Sequence, residues 1–272
     1  MQEKNWTIIK WLNLITFLVM VAVNALANIL PINNINTGAV SDFYSNLFAP
    51  AGITFAIWGV IYLLLGIFSI YQLGSSRKTE AGRKTAAQRV GVWFIISSLA
   101  NTAWIFCWHY HLIPASMVLM LIILISLAIA YLRINRHQLT LAEKICVKLA
   151  FSIYFGWITV ATIANATTLL VFLKWGGLGV SAALWMIAIV AAGLLIGGAT
   201  TWLNKDLAYG LVIIWAYAGI LLKRVSADGL NGQYPSVIIA VAIALALLVL
   251  VSVLAAIAGI KKNQTGKQLP AE

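Results

Sequence analysis

Eight apolar stretches alternate along the chain with short segments that hold nearly all of its charge: about 11–30, 51–73, 90–109, 113–132, 149–173, 178–200, 207–222 and 236–260. Crossing about 30 Å of hydrocarbon takes roughly 20 helical residues, and most of these stretches are long enough. Hydrocarbon offers no water to the backbone, so a spanning element must be a helix or part of a closed barrel. Barrel strands alternate apolar and polar residues over about ten positions, and these runs do not alternate. The pattern therefore predicts an all-α integral membrane protein with eight transmembrane helices. The seventh run is short, with Asn204, Lys205 and Asp206 at its interfacial start.

Composition agrees with the pattern. Of 272 residues, 62% are hydrophobic and 9% charged, and the mean hydropathy is +0.96. Soluble domains carry about 25% charged residues. The net charge is +11, but the basic residues do not form a nucleic-acid stripe. With the amino terminus inside, fifteen of the 18 fall in inner segments, and only Lys174, Lys223 and Arg224 in outer ones. That asymmetry predicts cytoplasmic termini, in a plasma (inner) membrane, with the lipid bilayer and not nucleic acid as partner. Lys4, Lys10 and the Ala25–Ala27 triplet also resemble a signal peptide, but the run is long for one and Asn24 interrupts its end, so retention is expected. Cys107 and Cys146 fall at opposite sides and cannot pair with each other.

Polar side chains inside spans cost free energy unless partnered, so they mark packing or function. Asn24, Asn101 and Asn165 lie at similar depth, roughly 10 Å below the outer rim, on three different helices. Three helical stripes accompany them: Trp58, Tyr62 and Gly66; Asn101, Trp104 and Trp108; Tyr154, Trp157, Ala161 and Asn165. Aromatic planes with a few amides suit a flat, mostly apolar ligand. Asparagines between membrane helices also serve as packing glue, so both readings stay open here. The first outer loop, 31–49, has turn formers followed by Phe43, Tyr44 and Phe48. It either folds back over the helix ends or is a solvated connector. His109 and His111 stand near the outer end of the third helix, where an interfacial histidine is more often solvated than ligating. A GxxxG step at Gly193 and Gly197 suits either close docking or homodimerisation.

At these residues the chain resembles the TspO-type tryptophan-rich sensory proteins, the translocator-protein family. Pro50, Trp58, Tyr62 and Gly66 resemble the family's P-x7-W-x3-Y-x3-G; Asn101 and Trp104 its N-x2-W; Tyr154, Trp157 and Asn165 its Y-x2-W-x7-N. The resemblance covers about 9–173 and implies a five-helix bundle over 1–174, with a pocket capped by the first loop. Helices six to eight, 175–260, are expected as an addition outside the family core, followed by a disordered cytoplasmic tail at 261–272. The implied role is a receptor for porphyrin, haem or another flat hydrophobic small molecule, with no cofactor required. The ligand-binding residues are then Trp58, Tyr62, Asn101, Trp104, Trp108, Tyr154, Trp157, Asn165, Asn24 and Pro50. A small-molecule transporter and a pigment-modifying enzyme stand as alternatives. The chain departs from the family at Ala49 and Ile53, where a proline and a tryptophan are usual, and around Ser152 and Ile153. It also lacks the cholesterol-recognition motif, since 166–174 reads ATTLLVFLK.

Overall fold

Side chains satisfy the first orphaned amides at the start of some helices, while others begin without a side-chain cap. In the computed structural model, which describes residues 2–30, 32–75 and 84–265, these helices are α1 (Gln2–Ile29), α2 (Thr37–Phe43), α3 (Ile57–Gly74), α4 (Ala86–Val90), α5 (Val92–His109), α6 (Ile113–Asn135), one-turn α7 (Leu141–Glu143), α8 (Leu149–Phe172), α9 (Ala182–Asn204), α10 (Leu207–Val225) and α11 (Pro235–Thr265). Asn36 caps α2, Ser181 caps α9 and Asp206 caps α10. Thr85 with Gln88 and Thr140 with Glu143 form capping boxes on α4 and α7. Glu143 also accepts from the Ala86 amide at 2.7 Å, which ties two separate turns together. A π-turn over Lys144–Lys148 joins α7 to α8.

Among the described residues, seven helices are long and apolar enough to cross a membrane. The chain is an integral membrane protein, and the regular structure among the described residues is all helical. α5 is not among the seven, although its segment was read as a span. Its 18 residues bury Ser97, Ser98, Asn101, Trp104, Trp108 and His109, and this polar, aromatic inner face lowers its hydropathy. The basic cluster Arg77, Lys78 and Arg83 and the end of the expected tail, 266–272, lie outside the described residues. Residues 261–265 continue α11, so the helix passes the point at which the tail was expected to begin.

The chain divides into two compact units: Met1–Asn46 with Phe55–Trp175, and Leu47–Thr54 with Gly176–Glu272. In the first unit α1 packs on α5, α5 on α6, α6 on α8, α8 on α3 and α3 on α1, which closes a five-helix ring. Phe68, Phe94 and Phe151 fill part of its core, with ring centroids 5.0 to 5.6 Å apart. In the second unit α9, α10 and α11 pack against one another. Gly197 is used inside this unit: a Cβ there would stand 2.9 Å from Ile213 of α10. The 47–54 segment corrects the sequence reading, which put it in the five-helix bundle. It straps along α10 instead.

Arg224 is a second correction. The pattern of basic residues assigns it to an outer segment beyond the seventh run, but it lies in the last turn of α10 and is 1% exposed.

Candidate functional site

The five-helix ring brings the sequence-identified residues together in three groups, each stabilised by a different interaction. In the first, Asn24 Nδ2 on α1 donates to Asn101 Oδ1 on α5 at 2.8 Å, and Asn101 Nδ2 donates to the Tyr154 hydroxyl on α8 at 3.3 Å. The Tyr154 hydroxyl donates in turn to Met20 Sδ at 3.9 Å. This relay crosses three helices, and Asn24, Asn101 and Tyr154 are all buried. Inside hydrocarbon such bonds give the helices a fixed rotation about their axes, as well as about 0.6 kcal/mol each.

In the second group, Asn165 does not join the other two amides despite its matching depth. Its Oδ1 accepts from Trp104 Nε1 at 2.8 Å, and its Nδ2 donates to Ser116 Oγ on α6 at 3.1 Å. Trp104 stacks on Trp108 at 5.3 Å. Depth along a helix was legible in the sequence; the rotation that chooses between Asn101 and Trp104 as partner was not. Ser116, a polar residue within a span, was the signal that the sequence reading passed over.

The third group is aromatic. Trp58 and Tyr62, one turn apart on α3, stack at 5.4 Å with 23° between their planes. Trp58 meets Tyr154 at 6.0 Å and Trp157 at 6.2 Å, both edge-on, and Phe55 meets Trp157 at 5.9 Å. Trp58, Tyr62 and Phe55 are half-buried while Tyr154 and Trp157 are buried. Trp157 Nε1 is buried with no hydrogen-bond partner. An indole N–H without an acceptor is uncommon, because leaving a donor unmade costs about 1–3 kcal/mol. Phe55 was not singled out in the sequence. Pro50 belongs to the 47–54 segment of the second unit and takes no part in these three groups.

The first loop folds back onto the end of α5. Asn33 Nδ2 donates to the His109 carbonyl at 2.9 Å, and Trp108 Nε1 donates to the Thr37 carbonyl at 3.1 Å. His109 Nδ1 lies 3.0 Å from the Ile32 carbonyl and its Nε2 3.0 Å from Thr37 Oγ1. A carbonyl only accepts, so Nδ1 carries the proton that bonds Ile32. His109 is therefore fully buried and uses both ring nitrogens, where a solvated histidine was expected. Tyr44 pairs with His111 Nδ1 at 3.0 Å, and burial pushes the Tyr44 hydroxyl up.

A family model described as TSPO-like protein matches residues 10–255. The chain belongs to the TSPO-like family. The match does not stop after the fifth helix of the ring, as the motif resemblance did; it runs through α9 and α10 and most of α11. The three further helices thus lie almost wholly within the matched range. Searches of curated proteins and of solved structures return no match.

Proposed function

We propose that this TSPO-like chain is a membrane receptor for a flat hydrophobic ligand of the tetrapyrrole class, held on the Trp58, Tyr62 and Trp157 face. The observation that carries the reading is the buried, unpartnered Trp157 Nε1 beside a half-buried stack of two aromatic rings. A porphyrin offers a planar π surface for the stack and polar atoms that can accept from the indole. The amides of Asn24, Asn101 and Asn165 are occupied with one another's helices. Their role is to hold the aromatic residues in place, while the rings contact the ligand.

We place the protein in the plasma membrane with both termini in the cytoplasm, following the distribution of basic residues. Parity supports eight crossings. The 47–54 segment contacts the last turns of α10, so an even number of crossings separates them. Between them lie α3, α5, α6, α8, α9 and α10, and omitting α5 would leave an odd number. A homodimer would have to use a face other than the Gly197 step, which Ile213 occupies.

Titrating the purified protein with a porphyrin and following its absorbance tests the reading. Saturable binding is expected, and Trp58→Leu should weaken it about 2- to 12-fold, the equivalent of 0.5–1.5 kcal/mol of lost stacking. Trp185→Leu, in the second unit, should leave the affinity unchanged. Equal affinity in wild type and Trp58→Leu would refute the assignment.

A further inference from the structure

Along α10 the 47–54 strap runs antiparallel to the helix. Trp215 Nε1 donates to the Thr54 carbonyl at 2.9 Å, the Ala51 amide to the Gly219 carbonyl at 3.0 Å, and Arg224 Nη2 to the Ala49 carbonyl at 3.4 Å. The three anchor points span about 13 Å of helix. The strap is tightest at Gly219, where any Cβ would collide with the Thr54 side chain. It is loosest at Arg224, whose single bond is also the longest of the three.

Arg224 is buried, yet its Nε and Nη1 have no hydrogen-bond partner. Asp228, the acidic residue nearest in sequence, is exposed, and no ion pair joins the two. A guanidinium cannot shed its proton to escape burial. The carbonyl end of α10 offers roughly half a negative charge, while a buried ion costs several kcal/mol after relaxation. The backbone here is already capped by the returning chain: the Leu230 amide donates to the Lys223 carbonyl and the Gly232 amide to the Arg224 carbonyl, both at 2.9 Å. Leu222 and Val225 on either side are 45% and 49% exposed, so this turn presents an open apolar surface beside the strap.

We infer that Arg224 anchors a site for the oxyanion head of a membrane amphiphile, a carboxylate or a phosphate, seated between the end of α10 and the strap. The oxyanion supplies Arg224 with a counter-charge and reaches the two unpartnered nitrogens by displacing the Ala49 end of the strap, whose bond to Arg224 is the longest of the three. The apolar tail lies along Leu222 and Val225, at the level of the membrane–water boundary. A soluble anion has no tail for those two side chains, which is why an amphiphile is the occupant. No residue of the aromatic face takes part, so the two sites stand or fall separately.

The test is thermal unfolding of the full chain in a neutral maltoside detergent, with added oleate, dioleoyl phosphatidylglycerol or uncharged oleyl alcohol. Wild type should be stabilised saturably by oleate, by the phospholipid or by both, and not by the alcohol. The arm that works names the source. In Arg224→Met the midpoint concentration should rise at least tenfold, while Arg224→Lys keeps the response at a midpoint about threefold higher. Arg224→Met should also be the more stable protein when no anion is added, because it removes an uncompensated charge. The inference fails if the alcohol matches the anions on wild type. It fails equally if Arg224→Met responds as wild type does. Should Arg224→Met not fold, the wild-type comparison and the Arg224→Lys midpoint still decide the matter.

Discussion

The two units join their helices in opposite ways. In the five-helix ring, Asn24, Asn101, Tyr154, Trp104, Asn165 and Ser116 pair across helices, although Asn13 Oδ1, Trp93 Nε1 and Trp157 Nε1 are among its buried atoms without a partner. In the second unit the helices approach through glycine. Gly197 meets Ile213, and a Cβ at Gly210 would come within 2.8 Å of both Ser252 and Thr201. There Arg224 Nε and Nη1, Thr54 Oγ1 and Ser252 Oγ are buried without partners. Side-chain bonds define rotation and tolerate modest gaps. Close backbone packing tolerates no added atom.

The largest effect is expected where packing is tightest. Gly219→Val forces a side chain into Thr54 and should cost about 3 kcal/mol, read as a lowered midpoint of thermal unfolding. Next comes Asn101→Ala, which removes bonds to two helices and leaves buried groups unmatched, and should cost about 1–3 kcal/mol. Asn24 and Tyr154 keep Met20 as a partner, which limits the loss. A double-mutant cycle then sharpens the contrast within the ring. Asn24→Ala with Asn101→Ala should couple by about 0.6–1.7 kcal/mol, whereas Asn24→Ala with Asn165→Ala should be additive within about 0.5 kcal/mol. The smallest change is expected for Trp185→Phe, about 0.5 kcal/mol, which removes the bond from Nε1 to the Gly177 carbonyl at 2.8 Å and keeps an aromatic ring. An unfolding midpoint as low as that of Gly219→Val would show that the second unit does rely on side-chain bonds.

The spans were legible because lipid imposes a long, uninterrupted apolar run. The depth of Asn24 and Asn101 followed from counting 1.5 Å per residue. What failed to show was anything that depends on where the chain goes after leaving the membrane. Pro50 precedes α3 by a few residues, so it was read with Trp58 and Tyr62, but its segment packs on a helix far along the chain. Arg224 follows Lys223 at the end of an apolar run, the usual place for a solvated basic residue. Nothing local distinguishes it from its neighbour, and only Gly219, a helix-interior glycine, hints that another backbone comes close. His109 was legible as interfacial, and its burial depends on a loop whose path the sequence did not specify.

The strap has a consequence for synthesis. Ala51 and its partner Gly219 are 168 residues apart. At about 5–20 residues per second, roughly 8–34 s pass between the emergence of the first and the second. For that interval Phe48, Ala49 and Pro50, all buried in the finished protein, are without the helix that covers them. The second unit therefore cannot close until almost the whole chain has been made, and a ribosome that stalls after α9 leaves behind a ring whose first loop still exposes an unfilled seam.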